Sequence, residues 1–466
     1  MTFFFLGRIG NLFLYFFLLS LVCFYFKCSS SMLIDLDNSL DSIKVELSDK
    51  KIKIKLVNGQ IVFANRKLIK QISGTQQIIK KSLVYEFLGV PFAQPPLGDK
   101  RFQFPHNLTN ALPTNVYDAT SFRDSCMQEL DTSLGEFPGA TMWNAPDKVS
   151  EDCLYMNLWV SVTFEQDKRF REESEKNLYS DMDYLGFSKY NTNFRQLTSL
   201  FWIYGGSFSS GSANLKVYDG TIMAGLEDIV VITANYRTGP FGFLYLNNEG
   251  APGNAGLADQ ILAIQWFKEY YLPLFGEPNT SNMVLFGESA GAMSIHDLLL
   301  SEKSYLFSRA ILQSSSSYSD LTYRKPSEAL KVSLRLAELV GCNESSSSTS
   351  GAAAADYPFA EKSIIKISDN LKGRPDDAPN QRVLDCLLRV DASSLSLNQF
   401  NIEYVNKYLP MQFVPTADYH QLVPIDPTEY YFSVTSRKFK QEILAGINQD
   451  EGTYFAFYEY KDIYFN

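Results

Sequence analysis

The stretch MVLFGESAGAMSIHDLLL, residues 283–300, decides the fold. Its first four residues, Met283 to Phe286, are apolar in an unbroken run, which suits a strand buried on both faces. Gly287 to Gly291, GESAG, then make a sharp turn into a helix. A serine at such a turn sits in a strained backbone, so its neighbours must be small enough to pack close, and the helix brings its positive end near a developing oxyanion. By frequency alone GxSxG arises in roughly one chain in seven of this length. The apolar run before it and the helix after it lift the match above chance, and Ser289 is the candidate nucleophile.

Outward from this turn, further short apolar runs recur: LFWIY (200–204), IVVITA (229–234), RAILQ (309–313) and ILAGIN (443–448). Between them ADQILAIQWFKEYY (258–271) and SEALKVSLRLAELVG (327–341) carry apolar residues at helical spacing. Strand alternating with helix implies an α/β fold with a mostly parallel central sheet wrapped by helices. Near the start, Lys51, Lys53 and Lys55 alternate with Ile52, Ile54 and Leu56, a period of two that predicts an antiparallel edge strand with one wet face. Two segments interrupt the plan, 164–197 and about 344–380, and read as solvated surface insertions.

A second glycine cluster, Tyr204-Gly205-Gly206-Ser207-Phe208, follows the LFWIY strand. Its amides can face the same serine, and an oxyanion hole is expected from the NH groups of Gly206, Ser207 and Ala290.

The 466 residues carry a formal charge of −10 and 45% hydrophobic residues, a globular composition that excludes nucleic acid and anionic membrane as main partners and favours cationic ligands. Residues 1–30 read as a secretory signal, with one early cation (Arg8), a long apolar run and small residues at its end; the run from Ile9 to Phe26 also suits an uncleaved anchor. Cleavage would remove Arg8 and Lys27 and no acid, taking −10 to −12. Four cysteines remain, Cys126, Cys153, Cys342 and Cys386, and an oxidising compartment makes disulfides of them. Three connectivities are possible, of which Cys126–Cys153 with Cys342–Cys386 closes the two shortest loops. Sequons at Asn107, Asn279 and Asn343 are expected glycosylation sites.

These motifs stand together with EFLGVPFAQPPLGDKRF (86–102), SEDCLYMNLWV (150–160), WIYGGSFSSG (202–211), NYRTGPFGF (235–243), APGNAGLADQILAIQWF (251–267) and GINQDEGTYF (446–455). In order and wording they resemble the cholinesterase and type-B carboxylesterase family, over residues 44–466 apart from the two insertions. The resemblance implies an α/β-hydrolase fold and a single incomplete carboxylesterase domain. It also implies Glu451 as the triad acid, on the loop after the ILAGIN strand, with Asp450 adjacent as the alternative. Glu288 would line the site for cationic substrates. Trp143 matches the tryptophan that faces a quaternary ammonium, whose attraction to an indole face needs no hydrogen bond. Tyr218 matches the tyrosine beside it, Tyr454 and Phe455 match aromatics of the gorge, and Asp131 the acid at its mouth. Leu409 and Met411, in KYLPMQFVP, stand where vertebrate acetylcholinesterases carry phenylalanines, implying a wider acyl pocket. Ser207 replaces the third glycine of the oxyanion loop.

The expected function is therefore a serine carboxylic ester hydrolase that cleaves choline esters through an acyl-enzyme on Ser289. A broad carboxylesterase without choline preference and a non-catalytic, neuroligin-like adhesion protein are the alternatives. The expected partner is a small cationic ester, with no cofactor, no metal and no nucleic acid, and homo-oligomers through further C-terminal segments. Secretion, with or without membrane attachment, is the expected localisation. A general base is missing from this reading. His106 and His420 precede the acid, against the order serine, acid, histidine. His296 follows Ser289 by seven positions on one helix, about 10 Å of rise. Residues 1–466 are thus expected to be an inactive, C-terminally truncated piece.

Overall fold

The computed structural model describes residues 42–47, 51–56, 60–72, 78–175, 197–271, 282–316, 322–342, 378–402, 411–417, 422–423 and 440–459. The signal segment, Asn279, Asn343, Leu409, His420, residues 176–196 and residues 343–377 lie outside them.

The strands, in chain order, are β1 Ser42–Leu47, β2 Ile52–Lys55, β3 Ile61–Ile72, β4 Ile78–Pro91, β5 Val116–Asp118, β6 Ser125–Cys126, β7 Val149–Ser150, β8 Tyr155–Val162, β9 Ser199–Ile203, β10 Val230–Ala234, β11 Tyr245–Asn248, β12 Ala251–Pro252, β13 Met283–Glu288, β14 Arg309–Gln313 and β15 Glu442–Gly446. One large sheet runs β1-β3-β4-β8-β10-β9-β13-β14-β15, with β2 and β5 also on β3. Along that main path the pairs from β10 to β15 are parallel and those from β1 to β10 antiparallel, while β5 joins β3 in parallel. The α/β expectation is met, and the sheet is mixed. Hydrophobic periodicity sees the buried parallel strands well, because β9, β10 and β13 are apolar on both faces. It cannot see that β4 and β8 pair antiparallel, since they too are buried on both faces where they join the sheet.

The helices that carry the argument are α1 Phe164–Glu175, α2 Thr221–Glu227, α3 Ala255–Trp266, α4 Ala290–Leu300, α5 Pro326–Leu339, α6 Ala378–Leu387 and α7 Gly452–Glu459. Helix α1 opens the segment 164–197, and most of its described residues are exposed. Its Asp167 is buried, accepting hydrogen bonds from Arg66 (2.6 Å) and from the Tyr85 hydroxyl (3.0 Å). Charge-rich composition hid this because the anchoring contacts are polar.

The core is one continuous cluster about the sheet, including Phe87, Phe92, Trp202, Phe208, Phe267 and Phe286. A smaller cluster, Ile69, Val84, Trp159 and Val231, lies under α2. Disulfides join Cys126 to Cys153 and Cys342 to Cys386, the sequential pairing. A buried ion pair, Arg237 with Asp259 at 2.7 Å, ties the loop after β10 to α3.

Candidate active site

Strand β13 is buried along its length until Glu288, and α4 begins at Ala290. Between them Ser289 has φ 51° and ψ −120°, a left-handed conformation that costs a non-glycine residue about 1–3 kcal/mol. Two backbone hydrogen bonds hold it there: the Ser289 NH donates to Gln313 O (2.9 Å), and its carbonyl accepts from Met293 NH (2.9 Å). Close packing fixes the turn as well. A Cβ on Gly291 would lie 1.9 Å from Ile203 O of β9, which explains the glycine after the serine.

The loop after β9 lies against this turn. A Cβ on Gly205 would come within 2.7 Å of Glu288 O and 3.1 Å of Ser289 Cβ, so the glycine-rich loop and the serine are in direct contact. The backbone then runs through three consecutive positive φ values, 115° at Gly206, 56° at Ser207 and 58° at Phe208. Gly206 O accepts from the NH groups of Ser209 and Ser210 (both 3.0 Å), which closes the loop on itself. Phe208 anchors the loop, fully buried edge-on against Phe243 with its carbonyl accepting from Gly239 NH (2.6 Å). Among the described residues, the amides of Gly206, Ser207 and Ala290 donate to no other group.

Sequence reading passed over two residues that support this loop. Tyr236 and Tyr204 stack at 4.4 Å, and each hydroxyl donates to the other's backbone carbonyl, at 3.1 and 2.8 Å. Trp202, buried in β9, packs on Tyr218 (5.1 Å) and on Phe286 (4.6 Å). Only the pairing of β9 with β13 brings Trp202 opposite Phe286, so no local signal marks it.

Glu451 lies after β15. Its carboxylate accepts from the NH (2.7 Å) and the side-chain amide (3.4 Å) of Asn448, and that amide also reaches Ser314 Oγ (3.5 Å). Ser314 NH in turn donates to Gly446 O (2.8 Å), so the loops after β14 and β15 are stitched together. Asp450, the sequence alternative, is exposed, and its carbonyl accepts from Thr453 NH.

Glu288 is reached by solvent, yet protein crowds its carboxylate; that desolvation, with the negative charge of Glu451 second, pushes its pKa up to about 7. Burial, with Glu288 nearby, also raises the Tyr218 hydroxyl. Glu288 thus lies within electrostatic reach of both Tyr218 and Glu451.

Trp143 is 42% exposed, just past a short helical turn, Pro138–Thr141, in the Cys126–Cys153 loop. In the same loop Asn144 bonds the backbone of Asp131 from both directions, and Asp131 caps Ser133. Tyr454 and Phe455 are exposed on α7 and meet edge to face at 5.5 Å. Met411 is buried, its carbonyl accepting from Arg324 (2.6 Å). Asn107 is exposed. His106 is exposed beside Gln103, while burial lowers the pKa of His296 to about 4.

A model of the carboxylesterase family matches residues 64–465. This chain belongs to that family. Among curated proteins it is similar to a cholinesterase of Mus musculus, 34% identical over 390 residues, and to an acetylcholinesterase 1 of Caenorhabditis briggsae, 35% over 381. An acetylcholinesterase of Danio rerio is 35% identical over 397 residues. These alignments cover 83, 81 and 83% of this chain and 53, 51 and 51% of the relatives. The chain spans about half the length of the curated relatives it matches. The carboxylesterase assignment agrees with the geometry, since the matched region includes β13, the Ser289 turn and the loop after β9. Among the described residues no helix is long and apolar enough to cross a membrane.

Proposed function

We propose that the protein is a serine carboxylic ester hydrolase with choline esters as its substrates. The observation that carries the reading is the strained Ser289 turn in contact with the loop at Gly205. In this reading Ser289 Oγ attacks the ester carbonyl, whose oxygen becomes an alkoxide among the amides of Gly206, Ser207 and Ala290. The choline leaves with a proton, and water then releases the acid from the acyl-enzyme. Glu451 orients and balances the charge of the imidazole that carries those protons. Trp143 receives the quaternary ammonium on its exposed indole face, beside Tyr218, Glu288 and Asp131, with Tyr454 and Phe455 lining the approach. Met411 contributes to an acyl pocket wider than one walled by phenylalanine. The protein acts as a secreted glycoprotein, modified at its sequons.

Residues 1–466 do not in this reading supply the imidazole. His296 is held neutral within α4, about 10 Å along the helix from Ser289, and His106 is bonded to Gln103 at the surface. The test has two arms. In a form that turns over a thiocholine ester, an organophosphate should modify Ser289 alone, read by mass spectrometry; an adduct elsewhere overturns the nucleophile. Residues 31–466 by themselves should show no turnover at ordinary enzyme rates, and such turnover would show that one of the three histidines is the base.

A further inference from the structure

The glycine-rich loop after β9 is closed at its far end by one side chain. Gln128, buried two residues past Cys126, meets Gly211 with both halves of its amide: Oε1 accepts from the Gly211 NH (2.9 Å) and Nε2 donates to the Gly211 carbonyl (2.7 Å). Nε2 also donates to the Cys126 carbonyl (3.0 Å). Among the described residues the Gly211 NH and carbonyl have no other partner. Gln128 thus pairs with Gly211 as an adjacent strand would, and ties it to the chain at the Cys126–Cys153 disulfide.

Gly211 bears directly on the start of the same loop. With φ 112° it lies so close that a Cβ would stand 2.6 Å from Gly205 O and overlap the Tyr204 ring. One residue earlier, Ser210 O is 2.5 Å from where a Gly206 Cβ would stand, so the two ends of loop 205–211 pack against each other. Between them the positive φ values of Gly206, Ser207 and Phe208 make a strained backbone that persists only while its surroundings hold it. Gly211 is itself buried, so without Gln128 its NH and carbonyl would lose their partner and have no water in exchange. The loop end must then shift to satisfy them.

We propose that Gln128 is a positioning residue for ester hydrolysis: by holding Gly211 it aims the Gly206 and Ser207 amides at the oxygen that becomes an alkoxide. The proposal rests on the esterase reading above, with the oxyanion hole at this loop. Donors aimed in advance act on charge that exists only in the transition state, so a misaimed loop lowers kcat and spares the binding of the uncharged ester. Deleting one such donor costs about 10²–10³ in rate, and loosening two should cost about tenfold or more.

In the form that turns over esters, Gln128→Met should lower kcat for an uncharged aryl acetate about tenfold or more, with KM changed less than about twofold. Inhibition by a trifluoromethyl ketone, whose hemiketal oxygen occupies the hole, should weaken by the same factor as kcat/KM. Gln60→Met is the control, because Gln60 clamps Leu112 with the same amide geometry (2.9 and 2.8 Å) and Thr114 besides (2.9 Å), outside this loop. It should lose comparable thermal stability and keep kcat within about twofold. In the full chain, hydrogen exchange at residues 206–211 should quicken in Gln128→Met and not in Gln60→Met. If Gln128→Met misfolds, Gln128→Glu, which keeps the acceptor for the Gly211 NH and sets a carboxylate against its carbonyl, should lower kcat about threefold or more. An unchanged kcat, a loss confined to KM, an equal fall in kcat for Gln60→Met, or unaltered exchange at 206–211 would each overturn the proposal. Aryl acetate hydrolysis without preference for a thiocholine ester would overturn the choline-ester reading alone, and hydrolysis of neither ester would overturn both.

Discussion

Replacing Gly291 with alanine separates local propensity from tertiary packing. In an exposed helix a glycine-to-alanine change stabilises by about 1 kcal/mol. Gly291 lies in the first turn of α4, where the added Cβ would sit 1.9 Å from Ile203 O, 2.8 Å from Ile203 C and 3.0 Å from Tyr204 O. Carbon and oxygen tolerate about 3.3 Å, so α4 and β9 must part by more than 1 Å. Neither can move alone, because Ile203 opposes Gly287 in the β9–β13 ladder and α4 grows directly out of β13. The clash outweighs propensity, and Gly291→Ala should cost about 3–5 kcal/mol, a large part of the 5–15 kcal/mol that holds a typical domain. Urea unfolding followed by tryptophan fluorescence measures it, with Trp202 on β9 as a nearby reporter. Gly446→Ala is the control: a Cβ there meets nothing within 4 Å, so the change should be under 1 kcal/mol. A Gly291→Ala midpoint equal to that of the control would refute the claim that packing against β9 dictates the glycine.

Two further outcomes follow from charge that the surrounding protein desolvates. Glu288 has its pKa raised from 4.5 to about 7, so its cost to the folded state is absent below pH 4.5, grows as pH rises, and is complete above pH 7. Glu288→Gln should therefore gain thermal stability over wild type between pH 4.5 and 7, and parallel melting profiles across that range would show the carboxylate to be relaxed. Arg237→Met leaves Asp259, fully buried, without its guanidinium, at a cost of about 3–5 kcal/mol in chemical denaturation. Adding Asp259→Leu should restore most of the loss; a double variant no better than the single would mean that Arg237 acts through its other contact, the Arg101 carbonyl.

Much of the parallel half was legible before any coordinates. Runs such as IVVITA and LFWIY became β10 and β9 because strands buried on both faces must be apolar throughout, and that requirement is local. The disulfides followed the shortest loops. The helix over 164–175 was not legible because its anchor is the ion pair of Asp167 with Arg66, roughly a hundred residues earlier, and composition carries no record of a partner at that distance.

GESAG and YGGSF could each be recognised as strained, glycine-dependent turns from the chain alone, since positive φ and close packing restrict which residues stand there. What tertiary structure decided is that they meet. Strand β9 pairs with β13, which sets Gly205 against Ser289. Strand β15 pairs with β14, which stitches the Glu451 loop to Ser314 and brings a second carboxylate near Glu288. The elevated pKa of Glu288 depends on strand order. Strand order is fixed by long-range pairing, which adjacent residues do not encode.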